Sequence, residues 1–415
     1  MKKTLWLLIA MLVFQLPLSC NRLGPEEDAD NTFVPISLST KQSGYVTAGN
    51  TFAGRLIERV DNYAQKKQEE NWFISPLSLQ IARGMLLNGA QGETATEICQ
   101  LLGYGAGETA EINTYCQLLL EKLPAIDKKT ELALANAVFY NKNEKMKKPF
   151  RETVSAAYGA WFEGLDFSKS DDAVSTINGW CSKQTKGMVP KVLDQVSPNA
   201  MAFLINALYF KSEWEQKFPK GNTADESFTC EDKTVKKVKM MKQDGKTFGY
   251  GENAVYQAVR LPYGNGAYAM SILLPKKGNT VHDIAASIAK EGVIFHGPGA
   301  SAEVDLWLPR FESKYHIRLN SILQEMGMVR AFSPSGADLL AMFETPSYVD
   351  FVQQDTAIKV DEAGTEAAAV TVIGTRKNSI GPPEKVVFHA DHPFLYLITE
   401  SSTGAILFAG KYSGQ

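Results

Sequence analysis

Residues Val360 to Val372 read Val-Asp-Glu-Ala-Gly-Thr-Glu-Ala-Ala-Ala-Val-Thr-Val and suit a β-strand, yet they lead into a segment composed like an exposed loop. From Gly374 to Lys385 the composition turns to Gly, Thr, Arg, Lys, Asn, Ser and the pair Pro382-Pro383, which cannot donate ladder hydrogen bonds. Whatever this chain folds into must therefore hold a strand-like arm tethered to an exposed, cleavable loop, which points to a moving part. At period two, one face of the arm carries Thr365, Ala367, Ala369, Thr371, Ile373 and Thr375. The other carries Glu366, Ala368, Val370, Val372, Gly374 and Arg376, so only the second face is charged. The first face can enter a sheet beneath a covering layer without burying an unpaired charge, whose desolvation costs several kcal/mol. On this segment alone an Ala-rich helix start or a flexible linker stays open.

The 415 residues carry no low-complexity linker after residue 50, which favours one large domain over several. A net charge of −3 offers no basic stripe for a nucleic acid, and no stretch has the basic amphipathic pattern of a membrane-surface helix. Met1-Lys2-Lys3, an apolar run from Leu5 to Leu16 and Leu18-Ser19-Cys20 read as a signal peptide over residues 1–19. The run is too short to span a bilayer. Lipidation of Cys20 is one reading of its end and plain secretion the other. Residues 20–46 are expected to be a polar tether, with Glu26, Glu27, Asp28 and Asp30 behind the cysteine, and residues 47–415 the folded domain. Cys99, Cys116, Cys181 and Cys230 are sparse for a disulfide-stapled fold and are expected to be free and mostly buried.

Helical spacing marks Phe52 to Lys67 and Ser78 to Leu87, and Ala173, Val174, Ile177, Trp180 and Cys181 form a further apolar stripe stopped near Gly187 and Pro190. Val255–Pro262 and Ala267–Pro275 flank Tyr263-Gly264-Asn265-Gly266, a hairpin signal because glycines around an Asn supply positive φ. Phe394–Thr399 and Ala405–Ala409 make a second hairpin. Helices early and strands late give an α+β chain.

Nothing in the sequence has the spacing of an enzyme's centre. None of His282, His296, His316, His389 and His392 has an i, i+4 helical partner, and no Gly-x-Ser-x-Gly elbow, phosphate loop or Cys-His signature is present. The expectation is no catalytic residue, no metal and no cofactor.

Phe388-His389-Ala390-Asp391-His392-Pro393-Phe394-Leu395-Tyr396-Leu397-Ile398 with Gly404-Ala405-Ile406-Leu407-Phe408-Ala409-Gly410 resembles the C-terminal signature of the serpins. Glu362-Ala363-Gly364-Thr365-Glu366-Ala367-Ala368-Ala369 is similar to their mobile hinge. Asn71-Trp72-Phe73-Ile74-Ser75-Pro76-Leu77-Ser78, with Gly89-Ala90-Gln91-Gly92-Glu93-Thr94, resembles their N-terminal core, and the run Leu204 to Trp214 their central strand. The match runs in order from about Phe52 to Tyr412. The resemblance implies about nine helices, three β-sheets and an exposed reactive loop near 361–387. It also implies a monomeric suicide-substrate inhibitor that traps a serine endopeptidase, or a cysteine endopeptidase, by inserting its cleaved loop into the main sheet. The alternative within the same fold is a non-inhibitory binding or carrier protein whose loop is a docking site or plain substrate. The acidic tether is similar to that of lipoproteins sent to the outer surface of some bacteria, which gives an outer-membrane or cell-surface location, with secretion or the periplasm as the alternative.

Carried over position by position, the hinge is Glu362, Gly364, Thr365, Glu366, Ala367, Ala368 and Ala369, with none of the bulky or charged residues on its buried face that a non-inhibitory relative is expected to show. Trp214, Arg310 and Glu362 match the region where the arm enters the sheet, with an Arg310–Glu362 ion pair expected there. Ser75, Ser78 and Asn206 match the polar cluster under the sheet's opening, where Gln354 stands at a position often occupied by histidine. The resemblance implies, by the family's usual spacing from Gly364, a scissile bond between Asn378 and Ser379. Lys377 or Arg376 would instead pair with the acid at the base of a trypsin-like pocket, which favours Lys377-Asn378, then Arg376-Lys377, and a trypsin-like target.

Overall fold

The computed structural model describes residues 31–293, 301–365 and 385–414. Eight α-helices lie among them: α1 (Thr40–Lys67), α2 (Pro76–Leu87), α3 (Gly92–Leu102), α4 (Thr109–Lys122), α5 (Lys148–Tyr158), α6 (Ser170–Gln184), α7 (Val281–Glu291) and α8 (Asn320–Glu325). The strands are β1 (Trp72–Ile74), β2 (Glu131–Asn141), β3 (Trp161–Leu165), β4 (Ala202–Glu213), β5 (Ala224–Thr229), β6 (Val235–Glu252), β7 (Tyr256–Tyr263) and β8 (Tyr268–Pro275). They continue with β9 (Ser301–Pro309), β10 (Phe311–Arg318), β11 (Gln353–Val360), β12 (Gly364–Thr365), β13 (Lys385–His389), β14 (Phe394–Glu400) and β15 (Ile406–Tyr412).

Local chemistry accounts for the main elements. Ser39 and Gln42 exchange side-chain and backbone hydrogen bonds as a capping box at the start of α1. The buried stripe of that helix, Tyr45, Val46, Gly49, Phe52, Ala53, Leu56, Ile57 and Val60, recurs at helical spacing. Ser75 caps α2 through the Ser78 amide, with Pro76 in the first helical position, where its missing N–H costs nothing. In the β7–β8 hairpin Gly264 and Gly266 take φ of +48° and +86°, as the tight turn requires. A Cβ on Gly264 would come 1.9 Å from Asp127 Oδ2, so the turn also packs too closely for any side chain.

Two sheets carry the molecule. The six-stranded one runs β10-β11-β12-β4-β2-β3, and the nine-stranded one runs β1-β15-β14-β8-β7-β6-β9-β13 with β5 on β6. Helix α2 is buried along almost its whole length between β4 of the first sheet and β15 of the second. Helix α6 covers the opposite face of the six-stranded sheet, where Ala173 and Ile177 pack with Ala137, Phe139, Phe203 and Ile205.

The expected sheets are present, and the 18-residue β6 pairs with β9 through a bulge between Gln243 and Lys246 and so links two of them in one ladder. Two expectations need correction. The polar tether expected over 20–46 ends early: α1 begins at Thr40, Tyr45 and Val46 are buried, and Asn31 donates to Asp127 Oδ1 at 2.9 Å. The loop expected over 361–387 is shorter at both ends, since Gly364–Thr365 is β12 and Lys385 opens β13.

Candidate functional site

At the end of β11 the chain turns through Asp361, Glu362 and Ala363 and re-enters the six-stranded sheet as β12. That strand pairs with β4 (Gly364 with Glu213, Thr365 with Ser212) and with β11 (Val360 with Thr365). Trp214 N–H donates to Ala363 O at 2.8 Å, Phe218 N–H to Glu362 O at 2.9 Å, and the Trp214 indole N–H to Asp361 O at 2.9 Å. Only glycine fits at 364: a Cβ there would meet Ser212 O at 2.1 Å and Glu213 Cα at 2.6 Å, both backbone atoms. Thr365 is buried, and its hydroxyl lies 2.6 Å from the hydroxyl of Tyr263, whose ring stacks on Trp214 at 4.3 Å between centroids.

Glu362 is 4 % exposed and receives Arg310 Nη2 at 2.5 Å and Thr223 Oγ1 at 2.6 Å. Burial pushes its carboxyl up, while the hydrogen bonds from Arg310 and Thr223 outweigh that and hold it below its ordinary value. Burial pushes the Tyr263 phenol up, so it stays a neutral partner for Thr365.

Among the described residues β12 consists of Gly364 and Thr365, and β4 and β11 make no ladder with each other. Between them lies a cavity of about 380 Å³, lined by Met201 to Leu208 of the β4 segment, Val349 to Thr356 at the start of β11, and residues of α2. Ser75 and Gln354 form its polar floor. Ser75 N–H donates to Gln354 Oε1 at 3.1 Å, Gln354 Nε2 donates to Ser75 O at 2.8 Å, and Ser75 Oγ donates to Leu407 O at 2.8 Å. Ser78 donates its amide to Ser75 Oγ. Asn206 turns elsewhere: its Nδ2 donates to Asn136 Oδ1 at 2.7 Å, and its own Oδ1 is buried without a partner.

Strands β4 and β11, bridged among the described residues only by the two-residue β12 with a glycine at its start, agree with the family model described as Serpin (serine protease inhibitor), which matches residues 47–414. The chain belongs to the serpin family. It is 31 % identical over 376 residues to Serpin B6 of Pongo abelii, covering 88 % of this chain and 98 % of that one. It is 32 % identical over 364 residues to the human leukocyte elastase inhibitor, covering 83 % and 93 %. Among solved structures it is similar to Serpin48 of the insect Tenebrio molitor, with a TM-score of 0.79, 26 % identity, and 91 % and 100 % of the two chains covered.

In this serpin, Trp214, Arg310 and Glu362 come together around Gly364 and Thr365. Ser75, Ser78 and Gln354 form one hydrogen-bonded group, and Asn206 lines the same cavity without bonding to them. Glu366, Ala367, Ala368, Ala369, the scissile-bond candidates Arg376, Lys377, Asn378 and Ser379, and Cys20 lie outside the described residues. Cys99, Cys116, Cys181 and Cys230 are buried thiols, and burial pushes Cys116 and Cys181 up to about 12. The sequence reading missed Tyr263, Thr223 and Asn136. Tyr263 carried a signal only as a hairpin residue, and Thr223 and Asn136 carried none, because their partners are 139 and 70 residues away in the chain.

Proposed function

We propose that this serpin is a suicide-substrate inhibitor of serine endopeptidases, with trypsin-like enzymes as its first targets. The observation that carries the reading is the interruption between β4 and β11, together with Gly364–Thr365 already paired at one end of it. A target protease attacks the segment beyond Thr365 as substrate. Its serine Oγ adds to the scissile carbonyl, the peptide C–N bond breaks, and the new amino end leaves with the proton carried by the protease histidine. The arm, now severed from the rest of the loop and esterified through its new carboxyl end to the protease, continues from Thr365 as a strand between β4 and β11. Each backbone hydrogen bond gained contributes about 0.5–1.5 kcal/mol, and insertion carries the acyl-enzyme away before water deacylates it.

Arg376 and Lys377 support the trypsin-like assignment by charge, with the bond at Lys377-Asn378 or Arg376-Lys377. Mixing the protein with trypsin and boiling in detergent should leave a covalent adduct, and the mass of the released C-terminal peptide should give the bond. A protein that is only cleaved, with no adduct, is the non-inhibitory alternative. The signal-peptide pattern supports an extracytoplasmic, surface-held inhibitor, and the mass of the mature N-terminus decides between a lipid-modified Cys20 and an unmodified start.

A further inference from the structure

Arg83 of α2 lines the cavity between β4 and β11 and is 2 % exposed. Nη1 donates to Leu79 O at 2.8 Å, while Nε and Nη2 are buried without a hydrogen-bond partner. Among the described residues no carboxylate pairs with it, and its Cζ sits 5.9 Å over the Phe52 ring. Burial pulls this guanidinium down to about 9, which leaves it charged at neutral pH with its charge unanswered. The same cavity is lined by Ser347, whose hydroxyl is also buried without a partner. The acids on the lining are not available to Arg83: Asp355 meets His316 and Gln353, both at 2.7 Å, and Asp350 is exposed. Leu79, Leu86, Leu204, Met342 and Phe343 form an apolar stretch of the lining beside the polar floor of Ser75 and Gln354 and the unpartnered Asn206 Oδ1.

An apolar stretch of wall beside one unmatched cation and one unmatched hydroxyl suits a ligand with a long apolar body and a single anionic end. We propose that this cavity binds a small amphiphilic monocarboxylate, with the carboxylate on Arg83 and the alkyl chain against the apolar wall. Bare anions lack the body that such a wall rewards, and neutral alcohols lack the charge. Because the ligand fills the space between β4 and β11, it also opposes strand entry, a consequence that rests on the inhibitory reading above.

Decanoate below its micellar concentration is the probe, measured by calorimetry and thermal shift on the full chain. Wild type should bind decanoate, decanol and inorganic phosphate should bind at least about tenfold more weakly, and Arg83→Met should lose about tenfold or more in decanoate affinity. Arg83→Lys, which keeps the charge, should recover part of it. Decanol binding as tightly as decanoate, phosphate reproducing the shift, or Arg83→Met binding like wild type would each overturn the site. With trypsin, decanoate should raise the number of inhibitor molecules cleaved per protease trapped. A protein that binds decanoate through Arg83 but forms no trypsin adduct keeps the site and sinks the inhibitory reading; one that traps trypsin but does not bind decanoate does the reverse.

Discussion

Glu362 is the residue on which the closed end of the sheet depends, because its buried carboxylate has two donors from different elements, Arg310 and Thr223. Its carboxyl is held below the unfolded value, so its contribution to stability is complete above the unfolded pKa of about 4.3 and is lost as pH falls through the lower folded-state value. Glu362→Gln should lower native stability by about 1 kcal/mol at neutral pH, a modest figure because Arg310 is partly solvated. In thermal melts against pH, the gap between variant and wild type should close in acid; a constant gap would refute the assignment. Gly364→Ala forces a Cβ into Ser212 O and Glu213 Cα, so it should unseat β12 and raise the fraction of protein that trypsin merely cleaves. Titrating trypsin with the variant reads that fraction. The Arg310–Glu362 pair was legible from the sequence only through the family resemblance, as nothing local ties residues 52 apart. The Thr365–Tyr263 contact was not legible at all, since it joins two polar residues 102 apart with no periodic trace.

Among elements, β12 supplies a register against which the proposed insertion can be tested. Six residues past Thr365, the same pairing would set Thr371 opposite Asn206 on β4 and Gln354 on β11. Asn206 Oδ1 is buried and unpartnered in the structure, and on the proposed insertion the Thr371 hydroxyl would be a fitting donor for it. Thr371→Val should therefore leave the melting of the intact protein unchanged and lower that of the cleaved form by about 1 kcal/mol; equal melts for both cleaved forms would count against this register. Thr365→Arg should turn inhibitor into substrate, because it would bury an unpaired charge where the Tyr263 hydroxyl now sits, and undiminished adduct with trypsin would remove the hinge argument. The hairpins were plain in the sequence because positive-φ glycines are a local requirement. The start of α1 was not. Its first turns carry no apolar stripe until Tyr45, and the signal that existed, the Ser39–Gln42 capping box, lies among polar residues that read as tether. Likewise the merging of two sheets through β6 depends on a bulge that no strand pattern displays.

For the molecule as a whole, β4 and β11 are bridged among the described residues only by the two residues of β12, and on the proposed mechanism the intact form should sit above an inserted one in free energy. Nicking between residues 376 and 379 should raise the melting midpoint by about 10 °C or more, from new backbone bonds at about 1 kcal/mol each set against the per-residue entropy of unfolding. An unchanged midpoint would mean that no energy is stored. Helix α2, wedged between both sheets with its Ser75 cap tied to Gln354 and Leu407, couples any widening of the slot to the rest of the core. The indole of Trp214, hydrogen-bonded to Asp361 O and stacked on Tyr263, lies at the end of the sheet from which the arm would start, so the protein contains its own fluorescent indicator. Stopped-flow emission after mixing with a protease could then time the stroke without any added label.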